Sequence, residues 1–333
     1  MSYSDMSGKA AEVICFTDRG YALALRVCGI LKSEGFDANA MRSGKVTAAQ
    51  WTSDSFQNAQ LLVYIGAAGI AVRSIAPHIR SKTKDPAVIV IDEPGKFVIP
   101  VLSGHIGGAN AAAQMLASKL GAQAVITTAT DTRAVFAVDT WACSHGLSII
   151  NPERIQSVSS KVLDGKPVYI KDMLGIGAEP PAGVCLSDEV RDILIDIYRH
   201  DDKMPLILVP KRLVLGLGCR RGTAKQTIEA GYAQFMEHAG IYKEAVHKVC
   251  SIDLKENEPG LLDFCKSEGL GFSCFDAASL ESISGEFSSS AFVLGITGVS
   301  NVCERSAVLG SGGKLIVKRH VFCGVTFALA QGC

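Results

Sequence analysis

The sequence carries no surplus of charge: 33 Lys and Arg balance 33 Asp and Glu across 333 residues, for a formal net charge of zero. A general nucleic-acid binder needs a basic excess to neutralise phosphates, so nucleic acid is not an expected partner. Charge is not gathered into tails either, which leaves no compositional case for disorder beyond the first residues. Paired cysteines are missing as well. The 11 cysteines are odd in number and scattered, without one C-x-x-C pair. That excludes a disulfide framework or a closed zinc site and predicts reduced thiols in a cytoplasmic protein. No membrane-length apolar run occurs. Phe97 to Ser118 is uncharged, but Pro100, His105, Asn110, Gln114 and its glycines make it too polar and too broken to span a bilayer. Met1 to Ala10 is polar, so no secretory leader is expected. A phosphate loop of the G-x-x-x-x-G-K-[ST] type is absent too.

What remains is a long, core-forming chain. At roughly 100–200 residues per domain, its length predicts two or three domains, each burying its own core. Val13–Phe16, Leu61–Ile65, Ala87–Ile91, Phe97–Leu102 and Ala124–Thr127 read as strands. Gly20–Glu34, Ala67–Arg80 and Ala109–Leu120 read as helices, the last closed by Gly121. Such alternation predicts a mainly parallel sheet covered by helices. The turn at Asp92–Gly95 makes Ala87–Ile91 and Phe97–Leu102 an antiparallel hairpin in or beside that sheet. The pattern weakens from Asp131 to about Arg199.

A second unit begins near Lys211. Strands are expected at Leu213–Leu217, Phe272–Asp276, Phe292–Ile296, Lys314–Lys318 and Val321–Leu329, with helices from a Thr223–Gln226 capping box and over Asn301–Leu309. The fold class is therefore α/β. N-terminal and C-terminal α/β sheet domains (residues 1–132 and 209–333) flank a small middle α/β module and linker at 133–208.

Five segments could carry chemistry. Ser103-Gly-His-Ile-Gly-Gly-Ala-Asn110 follows an apolar strand and opens an Ala-rich helix. Ser103, Gly104, Gly107, Gly108 and Asn110 there either make an anion site for phosphate or carboxylate, because the first N–H groups of a helix have no internal partners, or serve only to turn the chain. His105 is the residue in that loop suited to titrate near neutral pH, or else a hydrogen-bonding residue of the turn. Arg73 to Asp85 holds four basic side chains and a histidine, of which Arg73 and then Lys82 are the favoured ligand contacts over a merely solvated face. Ile126 to Arg133 gathers Thr128, Thr130 and Asp131 at a strand end, the edge where open α/β sheets bind ligands. Asp131 could orient His105, activate a water or cap a helix. Leu215 to Thr223 resembles a dinucleotide fingerprint but has Arg221 in the third glycine's place, so Arg220 and Arg221 suit a carboxylate-rich ligand instead. In Gly295 to Arg305, Asn301 or Ser300 caps a helix; Glu304 is either part of that helix start or a catalytic carboxylate. Together these features describe an α/β enzyme with an anionic small-molecule ligand between two domains.

At the same residues the chain resembles the cobalt-precorrin-5A hydrolase (CbiG) family of anaerobic cobalamin biosynthesis. The matching segments are Gly69–Pro77, Ser81–Val88, Leu102–Asn110 and Val125–Asp131, then Leu217–Thr223, Ser251–Lys255, Gly298–Glu304 and Gly324–Ala328. The C-terminal half also looks like the stand-alone CobE proteins. The resemblance implies hydrolytic opening of a tetrapyrrole δ-lactone, then carbon–carbon cleavage that releases acetaldehyde and leaves cobalt-precorrin-5B. It implies no cofactor, because cobalt is carried by the substrate, and no membrane or nucleic-acid partner. A homodimer and transient contact with neighbouring pathway enzymes are compatible with it. For this reaction we expect His105, oriented by Asp131, to activate water; Glu304 is a further candidate catalytic carboxylate, or else part of its helix start. Gly107 and Gly108 N–H groups hold the oxyanion, and Arg73, Lys82, Arg220 and Arg221 grip the carboxylate arms. The competing class is a non-catalytic carrier of corrinoid intermediates.

Overall fold

A computed structural model describes residues 9–81, 84–104, 107–128, 135–176, 179–200 and 205–332, the side chain of Phe292 excepted. Contacts divide the chain into two compact units, one of Met1–Ile170 with Gly177–Ile193, the other of Lys171–Ile176 with Leu194–Cys333.

The first unit opens with β1 (Ala10–Cys15), α1 (Asp18–Ser33), β2 (Asp37–Arg42), α2 (Ala48–Ser55), β3 (Leu61–Ile65) and α3 (Ala68–Ile75). It continues with β4 (Ala87–Ile91), β5 (Phe97–Leu102), α4 (Ala109–Leu120) and β6 (Gln123–Ala124). The sheet order is β2-β1-β3-β4-β5-β6. β3 and β4 are apolar without alternation and buried at every residue, as expected of strands covered on both faces. One face packs α1 and α4 through Ala24, Val27, Leu31, Ala113 and Leu116. The other takes α2 and α3 through Trp51, Ala71 and Ile75. α3 stops well short of Arg80, since Pro77 has no N–H to close the next turn. Gly121 closes α4 in the left-handed conformation, as the sequence indicates.

The directions of these strands position the site. β2, β1, β3 and β4 are parallel, but β5 is antiparallel to β4, and β6 is parallel to β5. The pairing of Val88 with Leu102 brings the end of β5 to the start of β4. The loop after β5 therefore emerges at the edge where the parallel strands begin, opposite to where they end.

Further along lie α5 (Val138–Ser144), β7 (Leu147–Ile149), α6 (Ile155–Leu163), β8 (Val168–Asp172), β9 (Val184–Leu186), β10 (Ile193–Ile195) and β11 (Leu206–Pro210). Within the first unit, β8 pairs in parallel with β9, from Val168 opposite Val184 to Ile170 opposite Leu186.

The remaining elements of the second unit are β12 (Leu213–Gly218), α7 (Lys225–Ala239), β13 (Val246–Ile252), α8 (Pro259–Glu268), β14 (Gly271–Phe275), α9 (Ala277–Glu281), α10 (Ala291–Thr297), α11 (Val302–Ser311), β15 (Lys314–Phe322) and β16 (Val325–Gln331). Their sheet runs β14-β13-β12-β16-β15. α11 lies so close on β12 that a side chain at Gly216 would collide with the Cys303 carbonyl. Three local expectations change here. Phe292–Ile296 belongs to helix α10, not a strand, because Ser290 caps it and Gly298 ends it; a short apolar run does not by itself choose between the two. The Thr223 hydroxyl donates to the Arg220 carbonyl instead of capping α7. The last strand pair turns at Cys323 and Gly324, both at positive φ, as a tight hairpin requires.

Candidate active site

Three chain segments meet at the edge where β3 and β4 begin. The first is the turn leading into β4. Asp85 is buried there, and its Oδ2 accepts from the N–H groups of Arg80 and Ser81, both at 2.9 Å. The second is the turn after β5, tied to the first by Ser103, whose Oγ donates to the Asp85 carbonyl at 2.9 Å. The third follows β6, where Thr128 Oγ1 accepts from Asn110 Nδ2 at 3.1 Å. Ser103, Gly104, Gly107, Gly108, Asn110 and Thr128 are thus brought together as the sequence suggests.

Ser103 and Gly107, on either side of positions 105 and 106, are held in conformations few residues tolerate. Ser103 has φ 55°, a left-handed value that is strained for a residue with a side chain. Gly107 sits against it so closely that an added Cβ would meet both the Ser103 Cβ and its carbonyl oxygen. The Ala109 and Asn110 N–H groups close back on the Ser103 and Gly104 carbonyls, at 3.1 and 2.9 Å. Among the described residues, the Gly107 and Gly108 N–H groups make no such bond. They are donors without an acceptor at the start of a twelve-residue helix.

A cavity of about 480 Å³ opens beside them, lined by Gly107, Asp85, Lys9, His78, Arg80 and Lys84 among others. Its size falls within the usual range of small-molecule sites, and its cations suit carboxylates. Among the described residues, Arg80 and Lys84 are thus the Arg and Lys side chains of the Arg73–Asp85 segment that reach it. Arg73 is exposed on α3, its guanidinium folded back beside Gly69, and lines no part of this cavity. Lys82, His105, Thr130 and Asp131 lie outside the described residues.

A second cavity, about 420 Å³, lies where β1, β3 and β4 end, lined by Phe16, Thr17, Gly66, Ile70, Asp92 and Glu93. This is the switch point of the parallel strands, and none of the sequence-derived site residues that are described borders it.

In the second unit, Arg220 and Arg221 are exposed in the turn after β12. That turn is anchored from below. Gly222 N–H donates to Glu258 Oε1 at 2.6 Å, and Lys255 Nζ pairs with Glu258 Oε2 at 3.0 Å, with both side chains largely buried. Burial pushes the Glu258 carboxyl up, but the hydrogen bonds from Lys255 and Gly222, with the charges of Lys255 and Arg221, outweigh it and hold the group below the ordinary carboxylate range. A depressed folded-state pKa stabilises the fold above the unfolded pKa and is lost as pH falls through the folded one. The stability advantage of wild type over Glu258→Gln should therefore be constant above about pH 5 and shrink below about pH 4, measured as Tm against pH.

Glu304 is wholly buried. Its Oε2 accepts from Ser288 N–H at 2.7 Å, and its Oε1 from Ser288 Oγ at 2.9 Å and Arg319 N–H at 2.7 Å. Asn301 caps α11 by accepting from the Glu304 N–H at 2.9 Å. This geometry makes Glu304 a strut joining α11, the segment before α10 and β15. Burial raises the Cys303 thiol to about 12 and also raises Cys219, so neither offers a ready thiolate. Among the described residues there is no cluster of three metal-ligating side chains and no helix long and apolar enough to cross a membrane.

Two family models match the chain: Cobalamin synthesis G N-terminal over residues 50–131 and Cobalamin synthesis G C-terminus over residues 213–330. The chain is 33% identical to the cobalt-precorrin-5A hydrolase of Salmonella typhimurium, covering 96% of this chain and 97% of that one. It is 31% identical to the enzyme of the same name from Priestia megaterium, over 77% of this chain and 74% of the other. Protein CobE of a Sinorhizobium species is 33% identical over 35% of this chain and 79% of its own length.

Proposed function

The chain belongs to the cobalt-precorrin-5A hydrolase family, and from that premise we propose that it opens the δ-lactone of cobalt-precorrin-5A with water and then releases acetaldehyde, in the cytoplasm. Water attacks the lactone carbonyl with His105 as general base. The Gly107 and Gly108 N–H groups hold the tetrahedral oxyanion, and the ester oxygen leaves as the C20 alcohol. The C20 oxygen then becomes an aldehyde while the bond to the macrocycle breaks, its electron pair staying on the ring. Arg80 and Lys84 take carboxylate arms at this cavity; Lys82, Arg73, Arg220 and Arg221 are further candidates for carboxylate contacts. Thr130 and Asp131 continue the segment that Thr128 ties to the turn. Cobalt comes and goes with the substrate.

The observation that supports this reading best is the unspent Gly107 N–H at a cationic cavity, with the Gly108 N–H next to it in the chain. Donors aimed at developing negative charge are worth a few kcal/mol of barrier, on the order of 10²–10³ in rate for one donor. The deciding experiment is incubation with cobalt-precorrin-5A, with acetaldehyde and cobalt-precorrin-5B followed together. Stoichiometric release is expected. Tight binding without either product would assign the protein to carriage instead of catalysis.

Gly107→Ala tests the donors directly. Its methyl cannot fit against Ser103, so the turn must shift. Turnover should fall by about tenfold to a hundredfold with substrate affinity little changed, because a small misplacement costs the transition state most. An unchanged kcat would remove the oxyanion role from this turn.

A further inference from the structure

We propose that Asp85 is a second catalytic base, which takes the proton of the C20 hydroxyl in the carbon–carbon cleavage step. The proposal rests on the lactone-opening reading above. It starts from an oxygen without a partner. Asp85 is 7% exposed, and its Oδ2 is spent on the Arg80 and Ser81 N–H groups. Its Oδ1 makes no hydrogen bond with any described residue. Nor is that oxygen sealed in the core. The fully buried side-chain polar atoms without partners are Trp51 Nε1 and Arg305 Nε, among the described residues. Asp85 lines the cavity, and Oδ1, which is neither sealed nor bonded to a described residue, is the oxygen proposed to serve it. A purely structural aspartate would need only Oδ2 to hold its turn.

The carboxylate is also rigidly placed. Its own N–H donates to the Ser81 carbonyl at 2.9 Å and its carbonyl accepts from Ser103 Oγ at 2.9 Å. Ser103 is the residue on which Gly107 rests, so one side chain links the oxyanion turn to the backbone that carries the carboxylate. The chemistry asks for that proximity. The ester oxygen released from the lactone is one bond from the carbonyl carbon under attack, and the same oxygen becomes the C20 hydroxyl. A base for the second step must therefore stand beside the oxyanion site of the first.

The step balances without any redox partner. An alkoxide expelled from the tetrahedral intermediate is far more basic than imidazole and takes the proton from the imidazolium formed in the first step, before the carbon–carbon bond breaks. Asp85 Oδ1 then accepts the hydroxyl proton, and the O–H electron pair becomes the second bond of the aldehyde. The bond from C20 to the macrocycle breaks with its electrons left on the ring. The proton on Asp85 is returned to that ring carbon or to solvent, and acetaldehyde departs.

Asp85→Asn is the test, because the amide oxygen still accepts the two turn N–H groups while the NH₂ replaces the free oxygen. Acetaldehyde release should fall by at least about 10²-fold, with the lactone still opened, so that a species one water heavier than substrate accumulates. In Asp85→Ala, added formate should restore release, which a lost turn alone would not allow. Wild-type release from Asp85→Asn, a block before the lactone opens, or no response of folded Asp85→Ala to formate would each overturn the proposal. Wild-type protein that yields no acetaldehyde would fail the underlying reaction and not this residue.

Discussion

His105→Ala should lower acetaldehyde release by about 10²–10⁴-fold, the usual contribution of a positioned acid–base group. Substrate should be recovered with its lactone closed, which separates this variant from Asp85→Asn. The fold should survive. The turn that carries position 105 is fixed by its neighbours, through Ser103 on Asp85, the Ala109 and Asn110 N–H groups on the turn carbonyls, and Asn110 on Thr128. None of these contacts uses the His105 ring, and the expected change in stability is no more than about 0.5 kcal/mol, checked by the thermal midpoint. His105→Gln is the sharper companion, since glutamine keeps hydrogen-bonding groups but cannot carry the proton. Equal losses in both variants would identify proton uptake as the role. Near-normal turnover in either would remove His105 from the mechanism.

The sequence made the site's parts legible but not its location on the sheet. The glycine-rich turn after β5, the threonine-bearing segment after β6 and the basic run after α3 could each be picked out by residue type. Strand direction decides where they lie. The turn at Asp92–Gly95 signals a hairpin, and its consequence is that β5 delivers its loop to the edge opposite the switch-point cavity. Arg73 stood out from its apolar neighbours, yet α3 ends before Pro77, so residues beyond it no longer follow helical phase and Arg80 and Lys84 are the ones that reach the cavity. Asp85 escaped notice because a carboxylate between a lysine and a proline reads as an ordinary turn residue. Its hydrogen bonds to Arg80 and Ser81 follow a common pattern, in which an acidic residue collects nearby N–H groups. That pattern was the available signal. The partners of Glu304 were beyond local reading altogether, since Arg319 comes from a strand on the far side of α11 in the chain.

That last residue gives the largest expected effect on stability. Glu304→Gln should cost about 2–4 kcal/mol, because hydrogen bonds to a charged group are worth about 1.5–3 kcal/mol each and their loss strands buried donors. The carboxylate has two accepting oxygens, and the amide has one. With the amide oxygen at the Oε1 position, the NH₂ confronts the Ser288 N–H; flipped, it confronts the Arg319 N–H. The Ser288 hydroxyl can rotate away, but neither backbone N–H can. Removing a buried charge offsets part of the loss, which keeps the figure below the sum of three bonds. In a unit of this size the thermal midpoint should drop by about 5–15 °C. Turnover per folded molecule should stay near wild type, since every oxygen of the carboxylate is already committed within the protein. A variant that melts normally but turns over a hundredfold more slowly would instead return Glu304 to the chemistry. Asn301→Ala provides the independent check. It removes the α11 cap and the bonds to Ser288 from the other side, so its cost should be non-additive with that of Glu304→Gln. Full additivity of the two would mean that the strut does not act as one network.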